Sequence, residues 1–519
     1  MQDSKTLSNR IKSGWTRIPA ELKFTFATAF CVFLFIHLYC FTNKFMNHDD
    51  VLFSVGGSGT ASGRWLKNYI CALSSTYSMP WVNGTLSALY AAVAICCVTE
   101  LFSVKHRFIR VLIAVLMASY PTVAATFSYM YTADAYFFAL ALACLGAFLT
   151  QKFRFGWIAG SVLFAMSLGC YQAYFGMATA LLVCSLLYEI TYQQYNVKES
   201  IVRAFRCLFA ILLGMILYKI CLDLMLKIEN VTLTSYMGVD SMWNVSFSDL
   251  LVRTGNAYKY FFAFYPLKTG ALFPERTQTI YRMVLIFIGC VVLYRIIKQK
   301  LYKTPIQLLL AIVLTLLVPL ACCIIFVMSE RVHFLMVYPI VVPFVMATVL
   351  LDNLADEIPT SKNGLGGIFV YGLLTLSILI FCYDSVLITN KAYLKQDIIF
   401  KESFAYNLKL TERIENVDGY HPGMPVLFIG TVNEENRPVQ NSTFNELNSL
   451  TGVETELSAL SDSTIREFCQ FYIGVGLPMP SDEARSAALE QLDTQQMPCY
   501  PADGSIVITN DIVVVKFSD

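Results

Sequence analysis

The chain has 519 residues, of which 56% are hydrophobic and 14% are charged, and its mean hydropathy is +0.56. A soluble domain carries about 25% charged residues, so this composition excludes an ordinary soluble enzyme. Aromatic residues make up 14% of the chain, and that content excludes a disordered protein as well.

The charge is distributed unevenly along the chain. Residues 1–391 carry 30 Lys and Arg against 18 Asp and Glu, whereas residues 392–519 carry 8 against 19. The formal net charge of +1 therefore hides two predicted domains, a basic membrane domain over residues 1–391 and an acidic, water-soluble domain over residues 392–519. The acidic domain argues against nucleic acid as a partner.

Long apolar runs divide the first domain. A bilayer core of about 30 Å needs roughly 20 apolar residues per helix, and these runs predict eleven spans. They cover residues 22–42, 82–103, 108–129, 133–150, 155–170, 174–190, 203–226, 280–297, 306–328, 334–351 and 367–388. We therefore predict an all-α polytopic membrane protein in contact with membrane lipids. The loop after the seventh span adds an amphipathic helix near 246–265, which we expect to lie in the membrane interface.

Lys and Arg residues in the short loops predict the orientation. They concentrate before the first span and in the loops near 105–110, 152–154, 198–206 and 295–303, whereas the loop near 131–134 carries none. Because cytoplasmic loops are enriched in Lys and Arg, we expect the N-terminus to be cytoplasmic. Eleven spans then place the acidic domain on the extracytoplasmic side.

The acidic domain is predicted to be a small α/β unit. Its predicted elements are, in order, a helix near 392–417, a strand at 425–430, a helix near 481–492 and strands at 505–509 and 512–517. Asn510 and Asp511 separate the last two strands, and this pair is typical of a tight hairpin turn.

The sequence indicates neither a cofactor nor a metal site. Its 16 cysteines form no Cys-x-x-Cys pair, and its five histidines show no metal-ligand spacing. Most of the cysteines lie in apolar runs, where they act as small hydrophobic residues. Only Cys469 and Cys499 fall in the acidic domain, either as two free thiols or as a disulfide.

The sharpest polar motif follows the first span. It consists of Asn47-His48-Asp49-Asp50, a glycine-rich stretch over 56–63, and Arg64-Trp65. Two adjacent carboxylates that lose part of their hydration raise the pKa of one of them, which suits a general base. Arg64 offers a permanent charge to a phosphate oxygen, and Trp65 offers a ring to a sugar or to the interface. Alternatively, Asp49 and Asp50 merely end a helix and face water.

Further polar residues occur on the same face of the membrane. Asp134 lies in a short loop before the fourth span, as a site residue or as a cap of that helix. Lys219 and Asp223 lie within the seventh span, as functional charges or as a self-compensating i,i+4 pair. Candidates for phosphate binding flank the later spans, and they are Glu330, Arg331 and His333, together with Lys268, Arg276 and Arg282. For Glu330 to His333 the alternative is an interfacial cluster that reaches toward water.

Several of these motifs resemble the Gtr-type serotype-converting glucosyltransferases. The resemblance is carried by the first-loop motif from Asn47 to Trp65, by Tyr131-Thr-Ala-Asp134-Ala-Tyr136, by Ser167-Leu-Gly-Cys-Tyr171-Gln172-Ala-Tyr174, by Gly419-Tyr-His-Pro-Gly423 and by Tyr500-Pro-Ala-Asp-Gly504-Ser-Ile506. It extends over most of the chain as a series of short motifs. Tyr171 and Gln172 become candidates for substrate binding on this basis.

The resemblance implies a GT-C membrane glycosyltransferase of the bacterial plasma membrane. Such an enzyme moves a sugar, glucose in this family, from a polyprenyl-phosphate carrier to a cell-surface polysaccharide on the outer face. The family's first-loop acid falls on Asp49 or Asp50 and its second-loop acid on Asp134. In an inverting displacement, one carboxylate takes the acceptor proton while cations stabilise the departing phosphate. We assign Arg64 and Arg331 to this second role from the predicted topology and not from a family motif. A metal ion is optional in this chemistry.

Two other functions fit a polytopic membrane protein. A transporter or flippase for a lipid-linked saccharide needs charges deep inside several spans and internal symmetry. The sequence has only Lys219 and Asp223 in such positions, and it has no repeat of fixed period. A non-catalytic assembly subunit that binds partners through its acidic domain is the third possibility.

Overall fold

The fold is described from a computed structural model. It describes residues 16–45, 49–51, 59–193, 195–234, 246–264, 272–357, 365–432, 444–453 and 461–519. Asn47, His48, residues 56–58 of the glycine-rich stretch and Lys268, all candidates from the sequence, lie outside these ranges.

Helices account for most of the described structure. The membrane part contains α1 Ala20–Thr42, α2 Lys67–Cys71, α3 Pro80–Leu101, α4 Arg107–Ser119, α5 Thr122–Phe127, α6 Met130–Lys152, α7 Gly156–Cys170, α8 Phe175–Tyr192, α9 Val197–Glu229, α10 Phe247–Ala263, α11 Glu275–Lys298, α12 Pro305–Cys322, α13 Ile325–Met328, α14 Val342–Glu357 and α15 Leu365–Glu415. Short 3-10 helices lie at Thr60–Ser62, Ala72–Ser74, Gln172–Tyr174, Leu301–Lys303 and Phe334–Val341. The 3-10 helix at Phe334–Val341 leads directly into α14.

The predicted all-α polytopic class is confirmed. In the described ranges, nine helical segments are long and apolar enough to cross a membrane. The other two predicted spans are helical but shorter. The span predicted at 155–170 is α7, an apolar helix of 15 residues. The span predicted at 108–129 is divided into α4 and α5, because Pro121 lacks an N–H and keeps Tyr120 out of helical conformation, at ψ 127°.

Small residues bring the helices of the bundle close together. A Cβ atom built on Gly84 of α3 would lie 2.3 Å from the Phe41 ring of α1. A Cβ atom on Gly146 of α6 would lie 2.6 Å from the Phe164 ring of α7. Because lipid tails are as apolar as the side chains, helices in a bilayer associate through such close packing rather than through the hydrophobic effect.

The bundle has two chemically different ends. At one end the Lys- and Arg-rich connections meet: Arg107 pairs with Glu21 at 2.8 Å, and Arg203 pairs with Glu189 at 3.0 Å. Lys152, at the last turn of α6, donates to Ser103 Oγ at this same end. The 23 residues of α6 extend about 34 Å, so its first residues, including Asp134, lie at the opposite end.

The C-terminal part is built on α15, a helix of 51 residues that passes without interruption through residue 391. Strand β1 Val426–Ile429, helices α16 Asp462–Phe468 and α17 Asp482–Gln491, and strands β2 Ile506–Thr509 and β3 Ile512–Lys516 follow, with a 3-10 helix at Asn445–Ser449 and a π-helical turn at Cys469–Ile473. The sheet has the order β1-β3-β2, with β1 parallel and β2 antiparallel to β3. The predicted α/β character is confirmed, and the domain boundary at 391 stays a prediction.

Three local features complete the comparison with the sequence. The β2–β3 turn places Asn510 at φ 50° and Asp511 at φ 54°, the left-handed pair that a two-residue hairpin turn requires. Cys469 is buried and Cys499 is half-buried, and both are free thiols. The helix predicted near 246–265 is α10, which Ser246 caps by accepting a hydrogen bond from the Asp249 N–H.

We expect Gly84→Ala to destabilise the bundle and Gly289→Ala to stabilise it. The added methyl group at Gly84 would overlap the Phe41 ring, and overpacking of this kind costs about 1–3 kcal/mol. A Cβ atom on Gly289 of α11 meets nothing within 4 Å, so that substitution gains only helix propensity, about 1 kcal/mol. Thermal melting of both variants in detergent measures the difference. A Gly84→Ala melting temperature at or above that of the wild type would contradict the packing argument.

Candidate active site

The loop at 59–71 is fixed to α7, to α9 and to the 3-10 turn before α8. The Leu66 N–H donates to the Gly169 carbonyl at 2.8 Å, where α7 ends. Tyr218 of α9 donates from Oη to the Gly63 carbonyl at 2.9 Å. Gln172, in the 3-10 turn before α8, donates from Nε2 to the Ser62 carbonyl at 3.1 Å. The loop at 59–71 is therefore held as a cap over this end of the bundle.

Trp65 anchors the same loop by packing. A Cβ atom on Gly169 would lie 2.5 Å from the Trp65 ring, so the ring reaches its position only because residue 169 has no side chain. Trp65 is half-buried and belongs to the main hydrophobic core.

Arg64 lies on an aromatic surface. Its Nη1 donates to Tyr136 Oη at 3.0 Å, and its Cζ lies 5.2 Å from the centroid of the Tyr171 ring. The Tyr136 and Tyr171 rings stack on each other, with centroids 3.9 Å apart. A guanidinium over an aromatic face is attracted by the ring quadrupole and keeps its charge. Arg64, Tyr171 and Gln172, all candidates from the sequence, are thus brought together.

Lys67 is a residue that the sequence reasoning missed. Its side chain is only 7% exposed, and within the described chain its ammonium forms neither a hydrogen bond nor an ion pair. Burial, assisted by the charge of Arg64, lowers the pKa of Lys67 to about 8. The signal in the sequence was the spacing Arg64-x-x-Lys67, which places both cations at the start of one short helix.

Asp134 is buried in the second turn of α6. Its Oδ1 accepts a hydrogen bond from Asn83 Nδ2 at 3.3 Å, and Asn83 also donates to Ser74 Oγ at 3.1 Å. Among the described residues, Asp134 Oδ2 has no hydrogen-bond partner although it is buried. Helix α6 begins at Met130, four residues earlier, so Asp134 does not cap it.

Asp49 and Asp50 differ in their environments. Asp49 is exposed, whereas Asp50 is 1% exposed. Asp50 Oδ2 accepts hydrogen bonds from Lys44 Nζ at 3.1 Å and from Ser78 Oγ at 2.9 Å. Burial raises the pKa of Asp50, and the positive charge of Lys44 opposes that rise. The next residue, Val51, packs into the hydrophobic core of the C-terminal domain.

Electrostatic neighbours connect these groups into one region. Tyr131 interacts with Asp49, Asp50 and Tyr136, and Cys71 interacts with both Lys67 and Asp134. The first-loop acids, the aromatic pair with Arg64, and the buried Lys67 and Asp134 therefore lie in one region at the end of the bundle opposite the Lys- and Arg-rich connections.

The C-terminal domain contacts the margin of this region through residues 444–453, which are called the rim segment below. Thr451 Oγ1 accepts from the Phe334 N–H at 3.0 Å. Gly452 adopts φ +83°, and a Cβ atom there would lie 2.5 Å from Ser128 and 3.1 Å from the Tyr129 ring. Gln396 of α15 donates to the Gly452 carbonyl at 3.4 Å.

The remaining candidates lie elsewhere or are engaged by other groups. Glu330 pairs with Arg253 of α10 at 3.4 Å. Arg331 is exposed, and His333 precedes the 3-10 helix that Thr451 contacts. Arg282 is exposed on α11. Their roles in substrate binding stay predictions.

Two further pairs of charges compensate each other on the surface of the bundle. Lys219 and Asp223 form the i,i+4 ion pair considered from the sequence. Arg276 pairs with Asp384 of α15, which also accepts from Thr277 Oγ1 at 2.6 Å. In the described ranges, no group of three His, Cys, Asp or Glu side chains is arranged to hold a metal ion.

The helical bundle defines a polytopic membrane protein. Residues 38–348 match the glucosyl transferase GtrII family, and this range covers more than half of the chain and every candidate site residue from Asp49 to His333. The chain belongs to the glucosyl transferase GtrII family. Membership implies a glycosyltransferase that uses a sugar donor and a glycan acceptor. A search of the curated proteins finds no match.

Proposed function

We propose that the protein transfers glucose from a polyprenyl-phosphate carrier to a surface polysaccharide on the outer face of the bacterial plasma membrane, with inversion at the anomeric carbon. The observation that supports this proposal is that two groups lie at the same end of a membrane bundle: the buried Lys67, with neither a hydrogen bond nor an ion pair in the described chain, and a buried Asp134 oxygen without a hydrogen-bond partner there. A ligand with a phosphate and several hydroxyl groups satisfies both.

The donor phosphate binds between Lys67 and Arg64. A buried ammonium without a partner is costly, and a phosphate oxygen removes that cost by ion pairing. Arg64 presents a planar guanidinium that suits phosphate, held in place by Tyr136 and Tyr171. The lipid tail of the donor remains in the bilayer, because these groups lie where the helices end.

Asp50 acts as the general base. Lys44 and Ser78 both bind its Oδ2 and so fix the carboxylate in one orientation. Burial moves its pKa upward, toward the range in which a base works near neutral pH, while Lys44 keeps it ionised. The base takes the acceptor proton as the acceptor oxygen bonds to the anomeric carbon. The bond from that carbon to the phosphate oxygen breaks, and Lys67 and Arg64 stabilise the departing charge.

Asp134 binds a hydroxyl group of the transferred sugar. Asn83 holds one of its oxygens, and the other oxygen is free to accept a hydrogen bond from the sugar. Trp65, next to Arg64 in the chain, lines the same substrate-binding site. No metal ion enters this scheme.

The three acids are separated by Asp→Asn substitutions, which keep size but remove proton acceptance. We expect Asp50→Asn to lower kcat by about 10²–10⁴-fold, Asp134→Asn to have an intermediate effect, and Asp49→Asn, the exposed neighbour, to stay close to wild type. The assay is transfer of radiolabelled glucose from purified carrier, with melting curves for each variant. If Asp49→Asn and Asp50→Asn both keep wild-type rates, neither residue is the general base. The transporter alternative then becomes the better explanation.

The lowered pKa of Lys67 predicts that the enzyme uses its donor less efficiently at alkaline pH. Only the protonated amine pairs with phosphate, so kcat/KM for the donor should fall about tenfold per pH unit once the pH exceeds the Lys67 pKa of about 8. Lys67→Arg should extend the plateau, since guanidinium stays charged. Lys198→Arg, at the opposite end of the bundle, serves as the control and should keep the wild-type profile. If the fall in kcat/KM at alkaline pH were the same in Lys67→Arg as in the wild type, Lys67 would have no part in donor binding.

The orientation is tested by cysteine labelling in intact cells, in a variant depleted of its native cysteines. Gln495→Cys, in the exposed surface of the C-terminal domain, should react with a membrane-impermeant maleimide from outside. Lys198→Cys, at the Lys- and Arg-rich end, should react only after lysis, because that end is expected to face the cytoplasm. The reverse pattern would place the site on the cytoplasmic face.

A further inference from the structure

The C-terminal domain contains a polar groove whose lining includes none of the candidate active-site residues. The last turns of α15 and the loop from Tyr500 to Ile506 enclose a groove of about 630 Å³. This volume is in the range of small-ligand sites, roughly 300–1,000 Å³. The family match ends at residue 348, so nothing in that match assigns a role to the groove.

Two hydroxyl groups in the walls of this groove lack partners. Tyr406 is 3% exposed and Ser505 is 1% exposed, and both line the groove. Within the described chain neither Tyr406 Oη nor Ser505 Oγ forms a hydrogen bond. Buried polar groups are nearly always paired, and an unpaired one costs free energy. A ligand with hydroxyl groups of its own would satisfy both.

The charges around the groove favour a saccharide over a polyanion. Lys409 and Glu412 stand on its edge, and the charge of Arg413 is balanced by Asp503 at 2.8 Å. Asn416 adds an amide with donors and an acceptor. The surrounding domain carries 8 basic against 19 acidic residues, and this net negative charge repels polyanions. The mixed donors and acceptors match the hydroxyl groups of a neutral sugar chain.

Helix α15 connects the groove to the margin of the active site. Lys395 on this helix donates from Nζ to Asn448 of the rim segment. Tyr406 and Arg413 follow Lys395 by 11 and 18 residues, which are close to whole numbers of turns at about 3.6 residues each. All three therefore lie on one face of α15, and the groove lies about 17–27 Å beyond Lys395 along the axis.

We propose that this groove binds a segment of the acceptor saccharide chain several sugar units away from the hydroxyl that is glucosylated. The continuous helix then fixes the distance between the bound segment and the reaction centre. This spacing selects polymeric acceptors over short ones and selects which position along the polymer is modified. The identity of the ligand rests on the proposed function, whereas the existence of the binding site does not.

The test uses the full-length protein in detergent and the double variant Tyr406→Phe/Ser505→Ala. Since neither hydroxyl has a partner in the protein, we expect this variant to melt at or above the wild-type temperature. The probes are fragments of the surface polysaccharide of the expressing cell, in a series of increasing length. The shorter fragments cannot reach from the candidate active site to the groove, and the longer fragments can. Ser486→Ala, an exposed serine of α17 outside the groove, is the matched control.

Calorimetric titration without donor measures binding, and the transfer assay measures KM for each fragment length. Wild type and Ser486→Ala should bind long fragments more tightly than short ones. The double variant should lose roughly tenfold or more of its affinity for long fragments and raise their KM, with kcat, donor KM and short-fragment KM unchanged. Equal affinity for short and long fragments in the wild type, or unchanged long-fragment binding in the double variant, overturns the proposal. Length-dependent binding without any transfer would instead refute the proposed function and leave the groove as a glycan-binding site.

Discussion

The hydrogen bonds between the loop at 59–71 and the neighbouring helices determine the arrangement of the candidate site. Hydrocarbon cannot solvate the backbone groups at the end of a helix, so these groups need partners from the protein or from water. The Gly169 carbonyl at the end of α7 meets this need by accepting from Leu66. The same contact positions Arg64 and Lys67 beside the start of α6. The need to satisfy the backbone groups at a helix end therefore also positions the side chains of the candidate site.

Burial then gives chemically similar residues different environments. Asp49 is exposed, Asp50 is buried against Lys44, and Asp134 is buried with one oxygen left over. Arg64 has aromatic neighbours that leave its charge intact, whereas Lys67 is desolvated enough to lower its pKa to about 8. Differences of this kind separate groups that hold a substrate from groups that exchange protons with it.

The C-terminal domain is joined to the bundle by more than a linker. Helix α15 begins among the membrane helices and ends under the three-stranded sheet. The rim segment folds back onto Ser128 and Phe334, and Val51 of the first loop packs into the core of the C-terminal domain. A rigid helix with contacts at both ends fixes the distance between them, and the proposed binding of a long acceptor requires such a fixed distance.

The sequence alone determined the membrane class, the chemical difference between the two ends of the bundle and the α/β character of the C-terminal domain. These properties follow from local composition: apolar runs of about 20 residues span a bilayer, and Asn510-Asp511 closes a hairpin. The sequence also selected Asp49, Asp50, Arg64 and Asp134 as candidates, because polar residues next to spans are conspicuous. Only the tertiary structure separated Asp49 from Asp50, brought in Lys67 and Asn83, and left Arg282 exposed on α11. Burial and pairing depend on which helices become neighbours, and that is decided by contacts between residues far apart in the chain.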